Sequence, residues 1–402
     1  MDWLTSEQAM ERLGVRAQTL YAYASRGHIH TEPDPVDPRR RRYRSGDIQA
    51  LSVRKARGRK AASVAESAIS WGEPVLTSSI TTVADGRLYY RGRDAVLLAE
   101  TETFEGVARL LRGDDGVARR HTGRPAPPDG ATMRERAFAS LARRAALDPP
   151  AGGRLPADLA LEGATLLDVL ADAVVGDIRS GPIHERLGRA WGCGRAGCDL
   201  IRRALILMAD HELNASTFAA RVAASTGASL AAASLAGLAT LTGPLHGGLA
   251  DRVRRLAVDA RAIGPEEAVA ARIAHWPTTP GFGHPLYPEG DPRARALLGG
   301  FEASADFEDL GRAAEQVTGE RANVDFALVA LAEALNLPDD APFAIFAVAR
   351  CAGWTAHAIE QIAVGALIRP RARYVGPPPS ADPPPPAGRR RTLAGSAKVL
   401  RG

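Results

Sequence analysis

One histidine of the sequence, His246, stands where its imidazole could contact a bound ligand. It lies in the stretch LTGPLHGGLADRV (241–253), where a Pro-Leu pair precedes it and a Gly-Gly pair follows it. Glycines allow a ligand to approach the backbone closely. If a helix begins at Leu249, its unpaired N–H groups would direct partial positive charge at whatever His246 contacts. The structural alternative is a histidine in an ordinary turn.

Four further stretches contain side chains suited to acid–base chemistry or to anion binding. They are DHELNAST (210–217), GFGHPLY (281–287) with DPR (291–293), NVDF (323–326), and ARCAGW (349–354) with RPR (369–371). The first lies within helical periodicity, and the third opens an apolar helix with a carboxylate. Each has a structural alternative: Asp325 as a helix N-cap, His211 as a buried core histidine, Arg350 as an ion-pair partner. Their occurrence together favours a single site.

Composition predicts a mostly helical architecture. The chain has 402 residues, enough for two or three domains at roughly 150 residues each. Its 45% hydrophobic and 24% charged residues are typical of a globular protein. Ala, Leu, Arg and Glu dominate residues 135–370, and β-branched runs are rare. Because aromatic residues are only 5% of the chain, we expect a core of Ala, Leu and Val in closely packed helices.

Positive charge is concentrated at the N terminus. Residues 1–60 carry 13 Lys/Arg and 7 Asp/Glu, a net charge of +6, so the other 342 residues sum to about −1. This asymmetry is what a nucleic-acid partner would require of the N-terminal segment.

Cysteine content and hydropathy predict a cytoplasmic protein. The cysteines are odd in number, which favours reduced thiols over a disulfide framework or a zinc site (Cys193, Cys198 and Cys351). Residues 1–30 lack the continuous apolar segment of a signal peptide. The stretch 223–245 is built of Ala, Gly, Ser and Thr, which is too weakly apolar for a membrane span. We therefore expect neither a metal site nor membrane contact.

The N-terminal segment has the pattern of three short helices and a basic hairpin. Residues 4–14 predict a helix capped by Thr5 or Ser6 and ended by Gly14. A second helix follows and closes near residues 26–27, and a third is expected over 45–51. Prolines and the run RRRRYR (39–44) separate the second helix from the third.

Residues 3–51 thereby resemble the MerR and excisionase type of winged helix-turn-helix domain. The resemblance implies that double-stranded DNA is a partner of residues 1–52. It implies a recognition helix that carries Arg16, Gln18, Thr19 and Tyr21, and phosphate or minor-groove contacts by Arg39, Arg40, Arg41, Arg42 and Arg44. The alternative is a small winged domain kept for packing or regulation.

The segments between the motifs give weaker predictions. Residues 52–72 predict a basic helical connector, and residues 75–112 predict a short hairpin with an Asp-Gly turn at 85–86, followed by a helix opening at 103–107. Residues 113–156 are rich in Gly, Pro and Arg and predict no element. The Pro/Arg-rich end, 377–402, should be disordered.

In order and approximate spacing, the five chemistry-bearing motifs closely resemble the citrate synthase family. The similarity runs from about Ser70 to Gly376. It implies an all-α enzyme with a large and a small helical domain, the small one over approximately 254–348, and an obligate homodimer. The predicted organisation is a winged domain over 1–52, a linker over 53–72, a citrate synthase-like domain over 73–376 and a tail over 377–402.

The resemblance assigns a role to each candidate residue. Removing a methyl proton from a thioester needs a base at the carbon and a donor at the carbonyl oxygen. Asp325 would be the base, and neutral His246, its pKa held down by the adjacent helix N terminus, would be the donor. His284 would protonate the keto oxygen of oxaloacetate as the C–C bond forms. The groups implied at the substrate carboxylates are Arg293, Arg350, His211 and, from the partner subunit, Arg369.

The implied activity is condensation of acetyl-CoA or propionyl-CoA with oxaloacetate, through citryl-CoA, to citrate or 2-methylcitrate, without a cofactor. Two departures from the family concern acyl-CoA binding. Pro288 stands where the family commonly has Lys or Arg reaching a CoA phosphate, and the apolar residues 326–328 replace a small polar sequence after Asp325. The alternative is a DNA-binding regulator whose synthase-like part senses oxaloacetate or an acyl-CoA. Asp325 favours the enzyme, whereas Pro288 and the basic N terminus favour the regulator.

Overall fold

The chain divides into two units, residues 1–79 and 80–402. The computed structural model describes residues 3–25, 28–35, 37–49, 76–114, 124–275 and 278–377. The predicted linker at 53–72 and the tail beyond 377 lie outside the described residues. The predicted domain boundaries, including the small domain at 254–348, stay predictions.

The N-terminal unit combines short helices with an antiparallel sheet. Its elements are β1 (Trp3–Leu4), α1 (Ser6–Leu13), α2 (Ala17–Ser25), β2 (Thr31–Pro33), β3 (Arg41–Arg44) and α3 (45–49). The sheet order is β1-β3-β2, with Tyr43 paired to Leu4 on one side and to Thr31 on the other. Tyr43 is buried with Leu13, Leu20 and other apolar side chains of both helices.

Local capping explains where α1 begins and ends. The Thr5 hydroxyl accepts from Gln8 N, the Gln8 side chain accepts from Thr5 N, and Gly14 closes the helix at a φ of +57°. The two predicted helices and the basic hairpin are therefore present. Arg16, expected on the recognition helix, immediately precedes α2, which begins at Ala17.

The second unit opens with a three-stranded hairpin sheet, β4 (Thr81–Ala84), β5 (Arg87–Tyr90) and β6 (Arg93–Asp94). The predicted turn at 85–86 joins β4 and β5, with φ values of +49° and +70° that suit Asp-Gly. Two short helices follow, α4 (Ala95–Thr101) and α5 (Phe104–Arg112). Thr103 caps α5, which confirms the helix predicted to open there.

The remaining elements that the structure describes in this unit are helices. They are α6 (Met133–Leu147), α7 (Pro156–Val175), α8 (Ile183–Ala190), α9 (Arg195–Leu207), α10 (Ala215–Ser225), α11 (Leu230–Leu241), α12 (Leu249–Ile263), α13 (Pro265–His275), α14 (Pro292–Leu298), α15 (Ala305–Thr318), α16 (Val324–Ala334) and α17 (Ala341–Val364). Helix α6 lies within 113–156, where the sequence predicted no element. Its signal was a capping box in which Thr132 and Glu135 satisfy each other's backbone N–H.

Helix α17 is the centre of the main core. Every residue from Ala341 to Ile359 is buried, as in a helix enclosed by other helices. It packs against α5, α7, α10 and α11. A Cβ atom on Gly237 of α11 would lie 2.6 Å from the Trp354 ring, so glycine lets the two helices approach closely. The small-residue packing predicted from composition is present here.

A second core is formed by α12, α13, α15 and α16. Helix α16 belongs to both cores, since Ala327 and Leu328 pack in the main core while Phe326 and Val329 pack in the second. The described helices include none long and apolar enough to cross a membrane. The cysteines are free thiols, and the described residues include no cluster of three metal-ligating side chains.

Candidate active site

Only the end of the motif DHELNAST is helical: residues 210–214 lie in a loop, and residues 215–217 open α10. Residues 208–214 interrupt the helical periodicity between α9 and α10, so the sequence pattern was misleading here. Asn214 caps α10, because its Oδ1 accepts from the backbone N–H groups of the second and third residues after it. Two hydrogen bonds connect the hairpin sheet to this loop and to the end of α9. Glu212 Oε1 accepts from Val83 N at 2.7 Å, and Tyr90 OH donates to the Ile206 carbonyl at 3.0 Å.

His211 projects from this loop toward the GFGHPLY loop. Its Nε2 lies 2.9 Å from Tyr287 OH, and its ring lies edge-to-face against His284 with centroids 5.0 Å apart. His211 is buried, and burial, followed by the charge of Arg293, lowers its pKa well below the ordinary value. His211 is therefore a neutral imidazole that joins two of the predicted motifs.

His284 is held in one tautomer by its own loop. Its Nδ1 accepts from Leu286 N at 3.2 Å, so the neutral imidazole carries its proton on Nε2. The pKa of His284 is lowered to about 4, chiefly by burial and next by the charge of Arg293, against the opposing charge of Asp291. A neutral imidazole with Nε2–H can donate to a ligand oxygen near pH 7.

His246 lies in a turn immediately before α12, which begins at Leu249 as predicted. Its Nε2 lies 2.8 Å from Ser216 Oγ, which is also 2.8 Å from Asn214 Oδ1 and accepts from Trp354 Nε1 at 3.1 Å. The pKa of His246 is lowered to about 3. We expected the helix N terminus to lower it, but burial is the largest cause and the charge of Arg350 adds to it.

Asp325 occupies the second position of α16. Asn323 is the N-cap of this helix, so the alternative that Asp325 caps it is wrong. Asp325 Oδ1 is buried, and no hydrogen-bond partner for it lies within the described ranges. Burial raises the pKa of Asp325 to about 7 against the attraction of Arg293 and Arg350. Such a carboxyl group can exchange a proton near neutral pH.

The two buried arginines differ in how their guanidinium groups are engaged. Arg293 Nε and Nη2 donate to the two carboxylate oxygens of Asp291 at 2.9 and 2.8 Å. Arg350 Nε donates to the Met208 carbonyl at 3.0 Å, and the described residues place no carboxylate in hydrogen-bond contact with its Nη atoms. The sequence analysis offered the alternative that Arg350 is an ion-pair partner. In the structure it is Arg293 that forms the ion pair.

The side chains described above form one electrostatically coupled cluster. The charges of Arg293 and Arg350 each shift the pKa of several of them. Arg369 is not part of this cluster within one chain. It is exposed in the segment after α17, where the neighbouring Ile368 N donates to Ser225 Oγ at 3.1 Å, and the structure described here gives it no contact with the cluster.

Several side chains at the centre of this site had no role in the sequence analysis. They are Asn214, Ser216, Tyr287, Asp291 and Trp354. All lie in the quoted motifs, and the short polar run at 214–217 was the only signal for Ser216. Pro288 is exposed beside Tyr287.

The candidate DNA-binding side chains lie in the separate N-terminal unit. Those at the second helix are exposed (Arg16, Gln18, Thr19 and Tyr21). In the hairpin, Arg39, Arg40 and Arg41 are exposed, whereas Arg42 and Arg44 are half-buried. Arg42 pairs with Glu32 at 2.7 Å, and Arg40 pairs with Asp37 at 3.5 Å. Part of the positive charge is therefore compensated within the unit.

Comparison with known proteins agrees with this geometry. Residues 173–371 match the family described as citrate synthase, C-terminal domain, and residues 3–51 match a helix-turn-helix domain. Residues 173–371 therefore form a citrate synthase-type C-terminal domain. Every side chain of the cluster described above lies within it, and the helix-turn-helix prediction is confirmed.

Relatives of the citrate synthase domain carry two names. "Citrate synthase 2" of Bacillus subtilis is 38% identical over 196 residues, which are 44% of this chain and 51% of that protein. "2-methylcitrate synthase 2" of Corynebacterium glutamicum is 35% identical over 189 residues, which are 43% and 48% of the two chains. The chain thus spans about half the length of the curated relatives it matches.

The solved structure of citrate synthase from Thermotoga maritima is similar over a longer range. Its TM-score is 0.63 at 28% identity, and the match covers 78% of this chain and 96% of that one. The all-α citrate synthase fold expected for the second unit is therefore confirmed. The hairpin sheet, α4, α5, α6 and most of α7 precede residue 173, where the matched C-terminal domain begins.

Proposed function

We propose that the second unit condenses an acyl-CoA with oxaloacetate in a citrate synthase-type reaction. The observation that carries the proposal is Asp325, whose carboxyl Oδ1 is buried without a hydrogen-bond partner among the described residues and whose pKa is raised to about 7. The charges of two buried arginines, Arg293 and Arg350, lower the pKa of Asp325 against burial, and each also lowers the pKa of one of the two neutral histidines, His284 and His246. A base that must take a proton from carbon works best when its pKa lies near the working pH.

Asp325 removes a proton from the carbon next to the thioester carbonyl. As the enolate forms, negative charge develops on the thioester oxygen, and His246 donates a hydrogen bond to it. The pKa of His246 is lowered to about 3, chiefly by burial, so the free enzyme holds a neutral imidazole at any pH well above 3. This imidazole already carries the one proton that the hydrogen bond uses. No proton has to be supplied from solvent for this hydrogen bond.

Ser216 decides which nitrogen of His246 can donate. Its single hydroxyl proton can go either to Asn214 Oδ1 or to His246 Nε2, since both lie 2.8 Å away. Donation to His246 leaves the imidazole proton on Nδ1, which can then reach the thioester oxygen. Donation to Asn214 requires His246 to use its Nε2 proton toward Ser216. The proposed donor role of His246 requires the first arrangement, so we assign Ser216 as a positioning residue for the catalytic histidine.

His284 completes the bond-forming step. Its Nε2 proton donates to the keto oxygen of oxaloacetate, and transfer of that proton neutralises the alkoxide as the new C–C bond forms. Hydrolysis of the citryl-CoA thioester then makes the sequence irreversible. The reaction needs no cofactor beyond the acyl-CoA substrate.

The dicarboxylate is held chiefly by Arg350, because the Nε and Nη2 groups of Arg293 are already bound to Asp291. His211 lies beside the same position through its contact with Tyr287. Arg369 reaches the site from the partner subunit of a homodimer. The names of the relatives support both acetyl-CoA and propionyl-CoA as acyl donors.

The test is thiol release from acetyl-CoA and from propionyl-CoA, each with oxaloacetate. Asp325→Ala and His284→Ala should each lower turnover by about 10²–10⁴-fold, while circular dichroism stays unchanged. His275→Ala is the matched control, because His275 is exposed on α13 and should leave turnover unaltered. Near-normal thiol release by Asp325→Ala would contradict the assignment. Oxaloacetate binding without thiol release in the native protein would favour a sensor.

A second function is supported for the N-terminal unit: binding of duplex DNA through α2 and the β2–β3 hairpin. The observations are the helix-turn-helix match and the exposed arginines that make no ion pair in the described part of the unit, Arg16, Arg39 and Arg41. On duplex DNA, log K falls by roughly 0.9 per phosphate neutralised for each unit of log salt. Arg39→Ala and Arg41→Ala should each reduce that slope by about 0.9.

Arg42→Ala is the matched comparison for DNA binding. It should change the slope less, because Glu32 already compensates part of the Arg42 charge. The measurement is a salt titration of duplex binding by the full chain. Equal slopes for all variants would remove the hairpin from the DNA interface, and absence of salt-sensitive binding would leave the unit with a structural role.

A further inference from the structure

A chain of buried polar side chains runs from α10 through α17 to the loop that precedes His211. Arg221, His357 and Asp210 are each at most 1% exposed. Arg221 Nη1 lies 3.0 Å from His357 Nδ1, and His357 Nε2 lies 3.1 Å from Asp210 Oδ2. None of these three side chains takes part in the proposed proton transfers.

The donors and acceptors of this chain allow only one arrangement. A guanidinium group can only donate, so His357 Nδ1 must accept from Arg221. The imidazole is then neutral and its proton lies on Nε2, from which it donates to the Asp210 carboxylate. At the far end, Arg221 is fixed by Glu360 Oε2 at 2.6 Å and by Gln361 Oε1 at 3.1 Å. The Asp210 carboxylate therefore has a defined orientation.

Asp210 acts on Arg350 through its charge. Burial lowers the pKa of Arg350 to about 10, and Asp210 is the strongest influence that opposes this fall. Burial by itself would raise the pKa of Asp210, but the electrostatic interaction with His357, the hydrogen bond from it and the charge of Arg350 bring this pKa below its ordinary value. The two charges thus support each other within the core.

The backbone keeps this charge close without letting it occupy the Nη atoms of Arg350. Gly353, one turn after Arg350 on α17, donates its N–H to the Ala209 carbonyl at 3.0 Å. A Cβ atom there would collide with Asp210 Oδ1 and lie 2.7 Å from that carbonyl, so only glycine admits the carboxylate. Arg350 is held by the Met208 carbonyl instead.

We propose that Asp210, His357 and Arg221 are positioning residues for the oxaloacetate site, where they hold a buried negative charge behind Arg350. This charge stabilises the guanidinium group in place, and it leaves the Nη atoms available for a substrate carboxylate. The inference rests on the proposed function only through the assignment of Arg350 to oxaloacetate.

The experiment compares Asp210→Asn, His357→Phe and His357→Gln in the full chain. The readouts are the Kd of oxaloacetate by calorimetry, the KM of oxaloacetate and the KM of the acyl-CoA. Asp210→Asn and His357→Phe should raise the Kd and KM of oxaloacetate by about 10- to 100-fold, as when an outer partner of a ligand-binding group is lost. The KM of the acyl-CoA should change less than about twofold. His357→Gln keeps an N–H donor and should remain close to the native protein.

Asp172→Asn is the control for a merely structural effect. Asp172 is equally buried and pairs with Arg186, away from the cluster, so its loss should lower stability without changing the Kd of oxaloacetate. The proposal is overturned if the folded Asp210→Asn variant binds oxaloacetate normally, or if both KM values rise together. If Asp210→Asn does not fold, equal oxaloacetate affinity of the two His357 variants overturns it.

Calorimetry separates this proposal from the proposed activity. A native protein that binds oxaloacetate but releases no thiol would contradict the activity and still allow the variants to be compared. A native protein that binds no oxaloacetate would overturn the positioning role, because Arg350 would then hold no such carboxylate.

Discussion

Replacing Asp325 by asparagine should remove activity and raise stability in the same variant. The pKa of the Asp325 carboxyl group is raised from its ordinary 3.8 to about 7, chiefly by burial. Each pKa unit corresponds to about 1.4 kcal/mol, so the ionised carboxylate costs the folded state about 4 kcal/mol. Asparagine has nearly the same shape as the protonated acid and carries no charge at any pH.

The sign of this effect depends on pH. Between about pH 4 and pH 7 the unfolded chain has lost the Asp325 proton while the folded protein retains it, so the free energy of unfolding falls as pH rises. Below about pH 4 both states are protonated and the native protein and the variant should be equally stable. At pH 8 the variant should be more stable by as much as about 4 kcal/mol.

The measurement is urea denaturation followed by tryptophan fluorescence at pH 4.5, 6 and 8, together with thiol release at pH 8. Turnover should fall by about 10²–10⁴-fold, because the amide cannot accept the proton. Asp306→Asn is the matched control: Asp306 is an exposed carboxylate paired with Arg261, so its loss should cost under about 1 kcal/mol. A stability difference between Asp325→Asn and the native protein that does not grow with pH would refute the reasoning.

Three further outcomes follow from the packing and hydrogen bonds of the site. Ser216→Ala should lower kcat about tenfold with an unchanged KM for oxaloacetate, as expected for loss of one hydrogen bond to the catalytic histidine; a change confined to KM would contradict this. Gly353→Ala should lower the free energy of unfolding by at least about 1–3 kcal/mol in thermal denaturation, whereas Gly311→Ala, in the interior of α15, should be neutral or slightly stabilising. Sedimentation should give a homodimer with an interface above about 2,000 Å², because the site is proposed to use Arg369 of the partner; a stable, active monomer would disprove it.

The sequence predicted the members of the site better than their hydrogen-bond partners. His211, His284 and Asp325 were identified because histidines and a carboxylate within apolar periodicity are conspicuous by type. Nothing in the sequence spacing indicated that the Asp291 carboxylate would accept hydrogen bonds from the Arg293 guanidinium group. That ion pair depends on how the start of α14 folds. A motif gives residue identities, but side-chain partners are set by tertiary approach.

The fold was predictable where local signals were strong. The hairpin at 81–90 and the start of α1 follow from turn and capping chemistry, which a sequence displays directly. The loop at 208–214 was misread because its residues continue a helical hydrophobic pattern, while Asn214 begins a new helix. Helix α6 was missed because surrounding Pro and Gly residues obscured a short capping signal.

Helix α16 has a consequence for how this protein can tolerate change. Since its faces are shared between the two cores, a substitution that enlarges or empties either core displaces the same backbone that carries Asp325. A replacement at Val329, whose side chain packs in the second core, would therefore alter the rate as well as the stability. Substitutions that alter the apolar packing on either side of α16 would also change catalysis, so selection on activity acts against them. The buried positions of α16 should therefore vary less than those of α15.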